Sequence, residues 1–143
     1  MRALLDVNVL IALLDAGHVM HGRAMSWLAR EIRHGWASCP IVENGVVRIM
    51  SQPAYPASRP AAVVAERLAE ACASPDHVFW PEDVSLLAPA LIDWNRVLGH
   101  RQVTDAYLLA LAVRNQGRLV TFDRRISPEA VTGTGAEHFA ILS

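Results

Sequence analysis

The sequence contains no lysine, so all 13 residues counted as Lys+Arg are arginine. A guanidinium is a bidentate partner for phosphate, but a coding preference for arginine explains the pattern as simply, and no polyanion is inferred from it. An excess of positive charge is lacking too. The formal net charge is -1, so no overall field draws the chain onto nucleic acid, and such contact needs a local basic patch or bound metal. Cysteine is scarce. Cys39 and Cys72 form neither a disulfide framework nor the paired spacing of a zinc site, which leaves reduced thiols and a reducing cytosol as the expectation. The N-terminal apolar run is cut by Asp6 and Asn8, unlike a signal-peptide core, and no run reaches the length of a membrane span.

What is present is a chain for one core. Hydrophobic residues make up 52% and charged residues 19% of 143 residues, far from the composition of disordered chains and suited to a single domain spanning 1–143. Arg2 to Asp6 is a short apolar run ending in a carboxylate, as in a strand buried on both faces. Val9 to Leu14 reads as helix, and so does Val19 to His34, where Met20, Ala24, Trp27, Leu28 and Ile32 recur near helical spacing ahead of Gly35. Trp36 to Cys39 is a strand candidate, and Pro40 opens the next helix. Pro53, Pro56 and Pro60 mark a loop, Ala61 to Ala73 a helix, and His77 to Trp80 a strand. A helix is expected from Val84 to Trp94, a polar loop around Gly99, and a helix capped by Thr104 that runs to Asn115 before Gly117. Leu119 to Phe122 and Phe139 to Leu142 supply the last strands. Strands alternating with helices predict an α/β fold with a mostly parallel sheet of four to five strands, covered on both faces.

In such a sheet, sites form beyond the carboxyl ends of the strands. Asp6 and Asp123 each end a predicted strand, Glu43 lies one turn into the helix after the second strand, and Asp105 begins the helix before the fourth. Three or four carboxylates can therefore meet on one rim. Two held about 5 Å apart repel by roughly 3 kcal/mol at an effective dielectric constant of 20, so a cluster calls for protons or cations. Hard oxygen donors select Mg²⁺ or Mn²⁺ over zinc, and such a site can activate water against a phosphodiester. Each acid also has an ordinary role open to it: Asp6 as a cap, Asp105 at a helix N-terminus, Asp123 in a turn, Glu43 on a solvated face. Only their joint placement favours chemistry.

Leu5-Asp6-Val7-Asn8-Val9-Leu10-Ile11, Glu43 within Pro40-Ile41-Val42-Glu43-Asn44, Val103-Thr104-Asp105-Ala106-Tyr107-Leu108-Leu109-Ala110 and Leu119-Val120-Thr121-Phe122-Asp123 resemble, in order, the four acidic motifs of PIN domains, and of VapC-type toxins among them. The resemblance covers nearly the whole chain; its second motif rests largely on one glutamate. It implies a three-layer α/β/α fold and endonucleolytic cleavage of RNA at a site with one or two Mg²⁺ or Mn²⁺ ions. It gives Asp6, Glu43, Asp105 and Asp123 roles as metal ligands, direct or through water, and Asn8 and Thr121 supporting roles. It also implies a homodimer in the cytoplasm, held inactive by a small VapB-like antitoxin.

Arg124 and Arg125 are candidates for phosphate contact, with an ion pair as the equal alternative. His18 and His21 suggest a metal pair but have no evident third partner, and His100 and Arg101 read as plain surface loop. Trp27, Trp36, Trp80 and Trp94 are expected in packing before base stacking. Three other functions compete. An α/β phosphatase would use the first aspartate as nucleophile, but no second acid stands two residues on and no lysine exists to hold phosphate. An RNA-processing nuclease of the same kind would work without an antitoxin. A binding module would use the acids for structure alone.

Overall fold

The computed structural model describes all residues from Met1 to Ser143. Five short strands, β1 (Ala3–Leu5), β2 (Trp36–Ser38), β3 (His77–Phe79), β4 (Arg118–Thr121) and β5 (Phe139–Ile141), form one sheet in the order β3-β2-β1-β4-β5. Every neighbouring pair is parallel, so the expectation of a mostly parallel sheet is met with all five strands. β1 is buried throughout, as is β2, as a continuous apolar run requires of a strand covered on both faces.

The helices are α1 (Val7–Leu14), α2 (His21–Glu31), α3 (Pro40–Met50), α4 (Ala61–Cys72) and α5 (Val103–Arg114). The chain steps outward from β1 to β2 to β3, then returns across the sheet to β4 and β5. Right-handed crossovers put α1 to α4 on one face and α5 on the other. Accordingly, α1 packs on α2 and α3, α3 on α4, and α5 against β1 and β4. This is the three-layer α/β/α arrangement. The reversal falls between β1 and β4, the place where open α/β sheets leave a crevice.

Gly45 fixes how α1 meets α3. A Cβ there would lie 2.8 Å from Val7 Cγ2, so the missing side chain lets the two helices close on each other. Gly117 serves space in the same way: a Cβ would meet Trp80 Cη2 at 2.5 Å and the Arg2 carbonyl oxygen at 2.7 Å. Trp27, Trp36 and Trp80 are buried, whereas Trp94 is exposed.

The expected helix from Val84 to Trp94 does not form. The segment is turns, an isolated bridge from Ile92 to Val131 and a 3₁₀ turn at Trp94–Arg96. Pro89 supplies no N–H and cannot continue a helix, and Ala90 follows it with φ of 61°. Thr104 is not a cap either. A 3₁₀ turn at His100–Gln102 leads directly into α5, which begins at Val103. α1 begins two residues earlier than its apolar pattern suggests, because Asp6 is its cap and accepts from the Val7 N–H.

Candidate active site

Leu5 pairs with Val120 in the β1–β4 register, which carries Asp6 alongside Thr121 at the carboxyl ends of the two central strands. Asp6 is 6% exposed and Thr121 fully buried. Asp6 Oδ1 accepts from its neighbour Val7 N at 2.7 Å, and Oδ2 accepts from Thr121 Oγ1 at 2.6 Å. The Thr121 hydroxyl also accepts from Asp123 N at 3.0 Å and from Asn8 Nδ2 at 3.4 Å, while Asn8 Oδ1 accepts from Phe122 N at 3.3 Å. Asn8 thus stitches α1 to the β4 exit.

Asp105 enters from the first turn of α5, on the opposite face of the sheet. It is 7% exposed, and its Oδ2 is buried without a hydrogen-bond partner. Burial first, then the charges of Asp6 and Asp123, push its pKa up to about 7. Burial also raises Asp6, against the Thr121 and Val7 hydrogen bonds, and the charge of Asp123 adds to the rise. Asp123 moves the other way. Its carboxylate accepts from the Arg125 backbone N at 2.8 Å and Nε at 3.1 Å, and the guanidinium holds its pKa below the usual range.

These three aspartates line one open cleft of about 390 Å³. An orphaned buried carboxylate oxygen facing two further carboxylates leaves a deficit of positive charge, and an all-oxygen donor set suits a hard divalent cation. The residues present fit such an ion.

Glu43 does not join them. It stands two positions before Gly45 on α3, about 200° round the helix, so with Gly45 against α1 its carboxylate faces the α4 side. There Oε2 accepts from Ser38 Oγ at 2.7 Å, and Glu43 lines a different cleft with Cys72. Two residues not assigned to the site from sequence stand in the aspartate cleft instead, His18 and Tyr55. Nothing in the spacing of Tyr55 marks it, because it arrives from the proline-rich loop, and His18 is marked in the sequence only as half of a pair with His21. His18 Nδ1 accepts from Met20 N at 3.0 Å and His21 Nδ1 bonds the Ala12 carbonyl at 2.7 Å, so the two histidines make no ligand pair. Arg125 is an ion-pair partner of Asp123, and Arg124 is exposed beside it.

An acid-lined crevice at the switch point of a parallel α/β/α sheet lies where open sheets of this class place their sites. The model of the PIN domain matches residues 3–128. The chain is 52% identical over 142 residues to Ribonuclease VapC44 of Mycobacterium tuberculosis, covering 99% of this chain and 100% of that protein. It is 45% identical to Ribonuclease VapC39 of the same organism, over 93% of this chain and 96% of that one. Among solved structures, Mycobacterium tuberculosis VapC20, a sarcin-ricin loop cleaving toxin, superposes with a TM-score of 0.61 at 18% identity, covering 92% of this chain and 98% of that chain. VapBC2 from Rickettsia felis, bound to a DNA fragment from its promoter, gives 0.58 at 14%, covering 86% and 89%. The chain belongs to the PIN-domain family and, within it, to the VapC ribonucleases.

Proposed function

We propose that Asp6, Asp105 and Asp123 hold one or two Mg²⁺ or Mn²⁺ ions and that the cleft hydrolyses RNA phosphodiester bonds endonucleolytically. The observation that carries this reading is the unpartnered Oδ2 of buried Asp105, set against two more carboxylates in the cleft at the sheet's switch point. When bound, a divalent cation there supplies the positive charge that draws in a phosphodiester and makes water a better nucleophile.

The protein's own groups do the rest. Thr121 fixes the rotamer of Asp6 by donating to Oδ2, and the Val7 N–H fixes the other oxygen, so this carboxylate keeps its place without substrate. Burial keeps Asp105 protonated below about neutral pH, and release of that proton readies the third oxygen donor. Arg125 restrains Asp123 while remaining largely exposed, and Arg124 beside it is free to meet a phosphate. Membership among the VapC ribonucleases supports the further reading of a cytoplasmic homodimer whose cleft is blocked by a small VapB-like antitoxin.

The test is cleavage of RNA by the purified chain, with and without Mg²⁺ or Mn²⁺, beside Asp6→Asn and Asp105→Asn prepared identically. Cutting by wild type alone, and only with metal, supports the proposal. Equal cutting by both variants overturns it.

A further inference from the structure

Glu43, displaced from the aspartates, belongs to a second cluster. Ser38 ends β2, His77 begins β3 and Cys72 ends α4, so the short turn from α4 into β3 brings thiol and imidazole back beside the first turn of α3. The carboxylate of Glu43, Sγ of Cys72 and a ring nitrogen of His77 lie within 4.8 Å of one another. Ser38 Oγ sits among all three, at 2.7 Å from Glu43 Oε2, 2.8 Å from His77 Nε2 and 3.9 Å from Cys72 Sγ. Ser38 has a single hydroxyl proton and gives it to the carboxylate, so the His77 Nε2–H donates to Ser38 Oγ. The three donors are half-buried and Ser38 is fully buried. A cleft of about 490 Å³, whose walls include Val47 and Leu68, opens onto Glu43 and Cys72.

We propose that Glu43, Cys72 and His77 form a second metal site, distinct from the aspartates, for a borderline-soft divalent ion of the Zn²⁺ class, with the Ser38 hydroxyl or a water completing four-coordination. Thiolate and imidazole select Zn²⁺ or Co²⁺ over Mg²⁺. Donor atoms in a tetrahedral zinc site stand roughly 3.3–3.8 Å apart, so binding draws these in by about 1 Å, a movement that side-chain rotation of Glu43 and Cys72 supplies. Charge balances: one carboxylate and one thiolate neutralise the ion. The proton balance is also defined. The ion replaces the Cys72 thiol proton, which leaves to solvent, and His77 moves its proton from Nε2 to Nδ1 with no net change. Burial holds Cys72 protonated and His77 neutral in the metal-free protein, so uptake releases a proton and strengthens with pH. The site would pin α3, α4, β2 and β3 together whether or not the aspartates cut RNA.

The test is titration of the full, chelator-stripped, reduced protein with Co²⁺ under excess Mg²⁺. The expected result is a near-ultraviolet thiolate-to-cobalt band that saturates at about one equivalent, as for any single thiolate site, and is displaced by Zn²⁺. The band should persist in Asp6→Asn and Cys39→Ala and vanish in Cys72→Ser and His77→Gln. A parallel measurement needs no variant: Zn²⁺ should slow alkylation of Cys72 in wild type by at least about 10-fold, because the metal-bound thiolate is withheld from the reagent. Folded wild type without the band, a band that survives Cys72→Ser, or alkylation unchanged by Zn²⁺ would overturn the site. None of these outcomes depends on RNA cleavage, so failure here leaves the nuclease reading intact.

Discussion

Thr121 Oγ1 donates a 2.6 Å hydrogen bond to Asp6 Oδ2 while accepting from the Asp123 N–H at 3.0 Å. One buried hydroxyl on β4 thereby aligns the acid that follows β1 with the acid that follows β4. Replacing it by the isostere in Thr121→Val strips a charge-receiving bond from a buried carboxylate. A loss of about 1.5–3 kcal/mol is expected at neutral pH, together with a further rise in the Asp6 pKa. Urea denaturation reads the first effect and an upward shift of the pH–activity midpoint the second.

Asp6→Asn removes one of three mutually repelling acids from a buried site. RNA cleavage should fall by at least about 100-fold, since even losing a group that merely supports a metal ligand costs up to that much. Melting temperature without metal should hold or rise, through relief of desolvation and repulsion. A variant that unfolds while wild type stays folded would instead mark Asp6 as a structural cap.

The pH dependence of stability follows from Asp105. Its folded pKa of about 7 stands above the ordinary 3.8, so between these values the folded protein binds the proton that the unfolded chain has released. Metal-free stability should therefore decline as pH rises from about 4 through 7, by on the order of a few kcal/mol, Asp6 acting in the same direction. Asp123 has the opposite sign: its depressed pKa favours the folded state fully above its ordinary value, and that contribution is lost only as pH falls below it. Thermal melts at pH 5 and pH 8 in chelator should show the decline. Mg²⁺ at pH 8 should reverse it, and cleavage should rise over the interval in which Asp105 ionises.

Arg125→Ala separates an exposed ion pair from a catalytic one. The guanidinium side chain is 60% exposed, so stability should change by less than about 1 kcal/mol. The Asp123 pKa should return toward its ordinary value, with a weaker Mn²⁺ response in cleavage titrations. Full activity at low metal would show that Asp123 needs no restraint.

Gly117→Ala probes packing far from the chemistry. Its new methyl would meet Trp80 and the Arg2 carbonyl, an overpacked contact expected to cost about 1–3 kcal/mol. Chemical denaturation should register the loss, with metal-dependent cleavage retained at temperatures where the protein stays folded.

The parallel α/β framework and the three acids that line the aspartate cleft were legible in the sequence. Apolar runs that end in Asp6 and Asp123 announce buried strands with acids at their carboxyl ends, and Asp105 is marked by its place at the start of an alanine- and leucine-rich helix. Such signals are local, since strand periodicity and helix termini are written into adjacent residues. The segment from Val84 to Trp94 misled because its apolar spacing outweighed Pro89, whose missing N–H breaks the ladder there. Tertiary structure alone decided the rest. Glu43 is equally suggestive in sequence, but the turn of α3 fixed by Gly45 against Val7 aims it at Ser38 and away from the aspartates. Cys72 and His77 had no meaning as spaced residues, and gained one only when α4 turned back into β3 beside that glutamate. Which side chains share a site depends on helix rotation and crossover geometry. Those are set by contacts between residues distant in the chain, and no local pattern records them.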